Sequence, residues 1–218
     1  MKNYSKKDWN TDLDMAKKTT TQSKLKAGIF IDNANFFYAQ KNAGWKVDIA
    51  KFKKLIKKEL DVQFTHYHIA IPARWDKSYA QTQKYIGILK KQSTIYSKPL
   101  KYIRAQNTTV KKGDVDLEVA LDVVRHIDDL GVFVVISGDS DYVELRKYVL
   151  EKKKKIVFVS FRQNMAWEIK RGKYILFDDI RKHVELGTKT PGYYPGRLLL
   201  SILYTKNPKK STPSDGAR

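Results

Sequence analysis

The sequence predicts an α/β protein with three layers, in which helices cover both faces of a mainly parallel central sheet. Short apolar segments alternate along the chain with segments of helical periodicity, which is the order of strand–helix–strand units. Two of these segments, 132–137 ("VFVVIS") and 155–160 ("KIVFVS"), are apolar at nearly every position, as strands covered on both faces are. The chain has 218 residues, 42% of them hydrophobic, which suffices for one domain with a substantial core.

The individual elements follow from this alternation in chain order. Strands are predicted where short apolar or alternating segments occur, at 27–31, 64–73, 100–106, 132–137, 155–160 and 174–180, the last running into a short helix. Helices are predicted where apolar residues recur at helical spacing, at 48–60, 77–92, 114–130 and 140–153. A further helix is expected directly after the first strand, over 33–40.

The two ends of the chain lack this periodicity. Residues 1–26 are polar and rich in Lys and Thr, which predicts a flexible basic N-terminal arm. Residues 187–218 are interrupted by Pro and Gly and predict a basic, partly disordered C-terminal extension. Within it, Leu198 to Leu203 is apolar enough to dock as a short strand or helix. A single domain is therefore expected at 27–186.

The charge of the chain points to a polyanionic partner. Lys and Arg number 43 against 23 Asp and Glu, a formal net charge of +20. Nucleic acid is favoured over an anionic membrane surface, because no basic amphipathic helix with a Trp/Leu face is evident. The chain has no Cys, which excludes disulfides and thiolate-bound zinc. Without a bilayer-spanning apolar stretch or a secretory signal, a cytoplasmic location without membrane attachment is expected.

Acidic side chains recur where the predicted elements meet one edge of the sheet. Asp32 directly follows the first strand, and Asp139 and Asp141 follow the strand at 132–137. Asp114 and Asp116 begin the helix at 114–130. Because ligands of open α/β sheets bind at the carboxyl ends of the strands, we expect these acids to gather there.

Such a cluster suits a divalent cation. Mutual repulsion would raise the pKa values of neighbouring carboxyl groups, and a bound cation relieves it. All-oxygen ligation favours Mg²⁺ or Mn²⁺, which supports hydrolysis of a phosphodiester. Structural roles remain open, since Asp32 and Asp139 or Asp141 could cap the helices that follow them. His66 and His68 share one face of a strand, where packing is favoured over metal binding.

Three segments together resemble a known family. They are "FIDNANFF", "KKGDVDLEVALDVV" and "VVISGDSDYVELRKYVLEKKKKIVFVS", and the similarity extends over roughly residues 27–186. In this order and at these separations they resemble the NYN domain, in its LabA-like branch, of the PIN-like nuclease superfamily. The resemblance implies a three-layer PIN-like fold and a ribonuclease site that depends on Mg²⁺ or Mn²⁺.

The resemblance also assigns roles to matching residues. It implies that the metal ligands are Asp32, Asp116 and Asp139, and that Asp141 joins them as the fourth catalytic acid. The implied supporting residues are Asn35, which would orient Asp32 or the substrate, Asp122, which would complete the acidic pocket, Ser137 and Asp114. Asp114 is an extra acid beside Asp116, and Asp116 is preferred as the inward-facing one.

The predicted function is therefore metal-dependent hydrolysis of RNA, most readily single-stranded RNA, with single-stranded DNA as a further candidate substrate and a homodimer as a candidate assembly. Flanking phosphates are predicted to contact Lys111, Lys112, Arg162 and Lys170, and unpaired bases could stack on Trp75 or Trp167. The alternative is an RNA-binding regulatory module with weak or no nuclease activity. An aspartyl phosphatase is disfavoured, because Ala34 stands where a second Asp would be required.

Overall fold

The computed structural model describes residues 23–105 and 108–189. Most of the predicted N-terminal arm and C-terminal extension, including the apolar segment at 198–203, therefore lies outside the described residues. Within the described residues, no helix is both long enough and apolar enough to cross a membrane.

Strands and helices alternate as expected. The strands are β1 (Lys26–Asp32), β2 (Asp61–Ile71), β3 (Thr94–Pro99), β4 (Lys101–Ala105), β5 (Thr108–Lys112), β6 (Val132–Ile136), β7 (Lys155–Ser160) and β8 (Tyr174–Leu176). The α-helices are α1 (Asn33–Ala43), α2 (Ile49–Ile56), α3 (Tyr79–Leu89), α4 (Asp116–Arg125), α5 (Val143–Glu151), α6 (Trp167–Lys170) and α7 (Arg181–Val184). Short 3₁₀ turns lie at Ser140–Tyr142, Arg162–Asn164 and Phe177–Ile180.

Six strands form one sheet in the order β3-β2-β1-β6-β7-β8, and every neighbouring pair is parallel. The chain builds outward from β1 in one direction through β2 and β3, and in the other through β6, β7 and β8. The strand order therefore reverses between β1 and β6, and the crevice above their carboxyl ends is where open α/β sheets bind ligands.

Two separate apolar clusters fill the two faces of this sheet. On one face, alternate residues of β1 such as Ile29 and Ile31 pack with Phe36 of α1 and Phe52 of α2. On the other face, Phe30 packs with residues of α4 and α5, which include Val119 and Val149. The predicted three-layer α/β architecture is thus confirmed.

One of the predicted strands lies outside the central sheet. The segment predicted as a strand at 100–106 is β4, but β4 pairs antiparallel with β5 as a two-stranded hairpin outside the central sheet. The sheet edge is instead β3, which was not predicted and which carries a terminal Pro99. Most of β3 is exposed, so its sequence lacks the continuous apolar run that marked the central strands.

Candidate active site

The first acid closes the central strand. Asp32 ends β1, and its Oδ1 accepts a hydrogen bond from the backbone N–H of Asn35 at 3.0 Å, so that it caps α1. Its side chain is buried, with only 3% of the residue exposed. The Asn35 side chain turns the other way, and its Oδ1 accepts from the N–H of Gly138 at 3.2 Å. Asn35 therefore ties the end of β1 to the loop that follows β6.

That loop is closely packed. A side chain at Gly138 would lie 2.1 Å from the backbone oxygen of Asn164, so only glycine fits here. Asp139 follows, and its Oδ1 accepts from the N–H of Asp141 at 3.1 Å, which caps the turn at Ser140–Tyr142. The N–H of Asp139 donates to Oγ of the buried Ser137 at 3.2 Å. The capping role considered from the sequence is present, and it leaves the second oxygen of Asp139 for other partners.

A tyrosine that the sequence analysis did not identify joins the acids. The hydroxyl of Tyr142 lies 3.3 Å from Oδ2 of Asp32 and 3.2 Å from Oδ1 of Asp116. Tyr142 is only 1% exposed, so its contact with Asp32 is shielded from water, whereas its contact with Asp116 is half-buried. A phenol has a single proton to donate. It can therefore satisfy only one of the two carboxylates at a time, and the other needs a proton or a cation.

The pKa values of Asp32 and Asp116 are both raised above the ordinary value of an aspartic acid. Burial raises the pKa of Asp32 to about 6; the hydrogen bond from Asn35 opposes the shift and the charge of Asp116 adds to it. Burial also raises the pKa of Asp116, as do the charges of Asp139, Asp114 and Asp141, in that order. The acids from β1, α4 and the loop after β6 thus share one electrostatic environment.

Asp114, which precedes α4, and Asp116, its first residue, differ in exposure and in their contacts. Asp116 faces Tyr142 and is half-buried, whereas the side chain of Asp114 is 58% exposed and pairs with Lys112 at 3.4 Å. Asp116 is therefore the acid that joins Asp32, and Asp114 lies at the rim. Asp141 is also exposed at the rim.

The carboxylate oxygens of these acids are the type of ligand that Mg²⁺ and Mn²⁺ prefer. Within the described residues, no group of three or more His, Cys, Asp or Glu side chains is already arranged to hold a metal ion. Mg²⁺, however, commonly uses one or two carboxylates and completes its shell with water and substrate phosphate. Asp32 and Asp116, held together by Tyr142, provide such a pair; burial first, and neighbouring acids second, raise the pKa of both, which a bound cation would offset.

The prediction that Asp122 completes this pocket is corrected by its contacts. Its Oδ2 lies 2.8 Å from Nδ1 of His66 and 2.9 Å from Nε2 of His68. Nδ1 of His126 lies 3.3 Å from the other carboxylate oxygen. Burial disfavours the charged carboxylate, but the hydrogen bonds from His66 and His68 outweigh it and hold the pKa of Asp122 well below its usual value.

The helix explains why Asp116 and Asp122 separate. Six residues along an α-helix rotate a side chain by about 600°, which leaves the two acids roughly 120° apart around α4. The sequence analysis treated His66 and His68 as packing residues without an acid nearby. Their partner comes from α4, more than fifty positions away, and only the fold brings it to β2.

The cationic residues predicted to bind RNA lie in different settings. Lys111 contacts the buried Asp76 at 2.6 Å, and Lys112 pairs with Asp114. Arg162 pairs with Asp179, and Lys170 is half-buried in α6. Of the two candidate aromatic residues, Trp75 is 73% exposed and packs on Tyr102, whereas Trp167 is 58% exposed and is covered by the guanidinium of Arg171 at 3.8 Å.

A parallel sheet with acids at its central strand ends is the architecture of PIN-like nuclease domains. The chain belongs to the NYN family, because the sequence model of the NYN domain matches residues 26–176. NYN domains are generally nucleases, and the resemblance noted from the sequence is thereby confirmed.

Two further similarities bear on the family and on the fold. The chain is 25% identical over 166 residues to the low amplitude and bright protein LabA of Synechococcus elongatus, a match that covers 72% of this chain and 86% of LabA. The LabA-like branch is therefore confirmed. A crystal structure of a protein of unknown function from Vibrio parahaemolyticus RIMD 2210633 superposes with a TM-score of 0.61 at 20% identity. That match covers 77% of this chain and all of the other, and it shows the shared fold.

Proposed function

We propose that this protein is a divalent-metal-dependent ribonuclease that hydrolyses phosphodiester bonds of single-stranded RNA. The observation that carries the proposal is the contact of Asp32 and Asp116 through a single tyrosine hydroxyl, with the pKa of both acids raised. Such an arrangement leaves negative charge without a matching positive group. Membership in the NYN family supports the same function.

Each residue of the site has a distinct task in this proposal. Asp32, Asp116 and Asp139 would hold Mg²⁺ or Mn²⁺, which supplies Lewis-acid activation of water and offsets charge at the phosphate. Tyr142 fixes the separation of Asp32 and Asp116, because its hydroxyl contacts both carboxyl groups. Asn35 holds the loop that carries Asp139 against the end of β1.

The remaining acid and the surface charge act on the substrate. Asp141 is exposed, and in this proposal it would contact water or the leaving group at the edge of the pocket. The net charge of +20 would attract RNA to the protein over long range and make binding sensitive to salt. A basic surface around a small acidic pocket thus serves two separate steps, capture and hydrolysis.

One observation favours the alternative of an RNA-binding regulatory module with little or no turnover. Within residues 23–105 and 108–189, no three metal-binding side chains converge in advance. In this alternative the acids would bind a metal too weakly to support catalysis, and the basic surface would provide the function.

A cleavage assay separates the two. Labelled single-stranded RNA is incubated with Mg²⁺, Mn²⁺ or EDTA and with the wild type, Asp116→Asn, Asp139→Asn or the control Asp114→Asn. Asp114→Asn removes the same charge from a side chain at the rim. We expect cleavage only with metal, and a loss of at least about 100-fold in Asp116→Asn and Asp139→Asn, the usual scale for removing one group that stabilises a transition state.

The other outcomes are equally informative. RNA binding without cleavage in either metal would establish the regulatory alternative. Cleavage that persists unchanged in both Asp116→Asn and Asp139→Asn would show that these acids are not the site. An RNA affinity that does not change with salt would contradict the role given to the surface charge.

A further inference from the structure

The segment from Ile71 to Lys112 concentrates positive charge. It contains ten Lys or Arg residues and a single acidic residue, Asp76, and its net charge of +9 is close to half of the +20 of the whole chain. Asp76 is itself buried and paired with Lys111. The surface of this segment is therefore cationic without an exposed carboxylate, which is the footprint of a site for a polyanion.

An exposed indole lies within this cationic segment. Trp75 is 73% exposed, and its ring centroid is 4.5 Å from that of Tyr102 on β4. Core packing is excluded by this exposure. One side of the indole rests on Tyr102, and most of the remaining surface is open to a ligand. Aromatic side chains in this setting stack on unpaired nucleobases, whose π-faces are accessible only when the strand is not in a duplex.

A buried network holds this aromatic pair in place. The hydroxyl of Tyr102 donates to Oδ2 of Asp76 at 2.8 Å and accepts from the N–H of Ala73 at 2.9 Å. Nζ of Lys111 contacts the same carboxylate oxygen at 2.6 Å. Ser78 adds two further hydrogen bonds to the other oxygen, from its N–H at 2.9 Å and its hydroxyl at 2.8 Å. An isolated surface tryptophan has no need of such support.

The hairpin places cations beside the indole. Tyr102 and Lys111 are directly opposite each other in the β4–β5 pair. Arg104 lies two residues further along β4, and it therefore shares the face of Tyr102. Arg104 is exposed, as is Arg74 next to Trp75. Aromatic and cationic side chains thus alternate over one surface, which we name the hairpin platform and define by Arg74, Trp75, Tyr102, Arg104 and Lys111.

The hairpin platform is connected directly to the acidic pocket. β5 ends at Lys112, and Asp116 begins α4 four residues later. Four extended residues span at most about 14 Å. The end of β5, the strand that carries Lys111 of the platform, therefore lies within that distance of Asp116, a separation that a few nucleotides of a single strand can span.

We propose that the hairpin platform binds an unpaired nucleobase of the RNA substrate, stacked on Trp75, with Arg74 and Arg104 contacting the adjacent phosphates. The identity of the ligand as a substrate rests on the proposed ribonuclease function. The binding itself does not, because it uses none of the acids. The platform selects single strands over duplexes and tolerates any base, since all bases offer a π-face.

Binding is measured in EDTA, so that the result does not depend on cleavage. Fluorescence anisotropy of a labelled single-stranded RNA is compared for the wild type, Trp75→Ala, Trp75→Phe and Trp167→Ala. Trp167 is the matched control, because it is also exposed but already covered by Arg171. We expect about a tenfold weaker affinity for Trp75→Ala, the usual loss for one stacked base, with most of it restored in Trp75→Phe. Trp167→Ala should bind within about threefold of the wild type.

Two substrate comparisons complete the test. Duplex RNA of the same sequence should bind more weakly, and its affinity should not change in Trp75→Ala. Single-stranded DNA should bind with the same dependence on Trp75, because stacking does not use the 2′-hydroxyl. Unchanged affinity of Trp75→Ala for single-stranded RNA would overturn the proposal, as would an equal loss on single-stranded and duplex RNA.

The two proposals can fail separately. If Trp75→Ala weakens RNA binding while neither metal supports cleavage, the platform stands and the ribonuclease proposal fails. If RNA is cleaved and Trp75→Ala binds it like the wild type, the site stands and the platform fails. Thermal unfolding of Trp75→Ala, expected within a few degrees of the wild type for so exposed a side chain, excludes a folding defect.

Discussion

Two acids on the same short helix have opposite surroundings. Asp122 is met by the side chains of His66, His68 and His126, and its pKa lies well below the usual value. Asp116, six residues earlier on α4, shares a tyrosine hydroxyl with another acid, and its pKa is raised. One helix thus carries a carboxylate whose hydrogen-bond partners all come from the fold and a carboxylate that shares a single donor with another acid.

This difference distinguishes an acid with a structural role, Asp122, from the acids of the proposed active site, Asp32 and Asp116. The carboxylate of Asp122 has its hydrogen-bond partners within the fold, so it stabilises the native state by joining β2 to α4. The charges of Asp32 and Asp116 are not balanced by the contacts they make, and forming that site costs stability at neutral pH. Such a cost is expected where an external cation or substrate completes the site. Four predictions test this contrast, beginning with the largest effect.

Replacing the two acids of α4 should have unequal effects on folding. Asp122→Ala removes the shared acceptor of two buried histidines, and we expect a loss of about 3 kcal/mol in the free energy of unfolding. Asp116→Asn relieves repulsion between acids and should leave stability unchanged or slightly higher. Urea unfolding of both variants measures the difference. Equal destabilisation by the two substitutions would remove the basis of the contrast.

The pH dependence of the free energy of unfolding should show that the ionised form of Asp32 destabilises the folded protein. Its pKa is near 6 in the folded protein and near 3.8 in the unfolded chain, so the folded state binds more protons between these values. Stability therefore falls as pH rises through this range. Between pH 5 and 7.5 the wild type should lose on the order of 1 kcal/mol more than Asp32→Asn. Unfolding measured at both pH values gives this difference, and an identical pH dependence in the two proteins would contradict it.

Asp122 should act in the opposite sense and at lower pH. Its folded-state pKa lies below its usual value, so its stabilising effect is present above about pH 4 and is lost as pH falls further. The two acids thus make contributions of opposite sign to the pH profile.

Of the substitutions expected to destabilise the protein, Tyr142→Phe should have the smallest effect. It removes one buried hydroxyl, which typically contributes about 1 kcal/mol. The hydrogen bonds from this hydroxyl lower the pKa of Asp32 and of Asp116, so its removal should raise both further. The midpoint of the pH-dependent stability change should then move to higher pH. Tyr102→Phe, which removes a hydroxyl from the hairpin instead, serves as the control and should not move it.

The sequence was sufficient to predict the acids at the strand ends, but not the tyrosine that contacts them. Asp32 and Asp139 could be predicted because each follows a strand with an apolar residue at nearly every position, and parallel strands end at one edge. Tyr142 could not, since its hydroxyl reaches Asp116 across a turn whose geometry is set by the capping of Asp139. A tyrosine directly after the acids was the available signal.

The features that the sequence did not predict, the contacts of Asp122 and the exposed strands, depend on more than the local pattern of residues. Asp122 matched the family pattern, but its direction depends on the rotation of α4 and its histidine partners come from β2. Similarly, β3 and β5 are largely exposed to solvent, which removes the apolar periodicity on which strand prediction depends. Contacts between distant elements and exposed edges are the features that local patterns describe least.

The most direct test of the central claim is metal binding at the acidic pocket. Mn²⁺ binding is measured at pH 7.5 by titration calorimetry for the wild type, Asp116→Asn and the rim control Asp114→Asn. We predict that the wild type and Asp114→Asn bind Mn²⁺ with closely similar affinity, and that Asp116→Asn loses at least about tenfold, or 1.4 kcal/mol. Wild-type affinity in Asp116→Asn would contradict the claim that Asp32 and Asp116 await a cation.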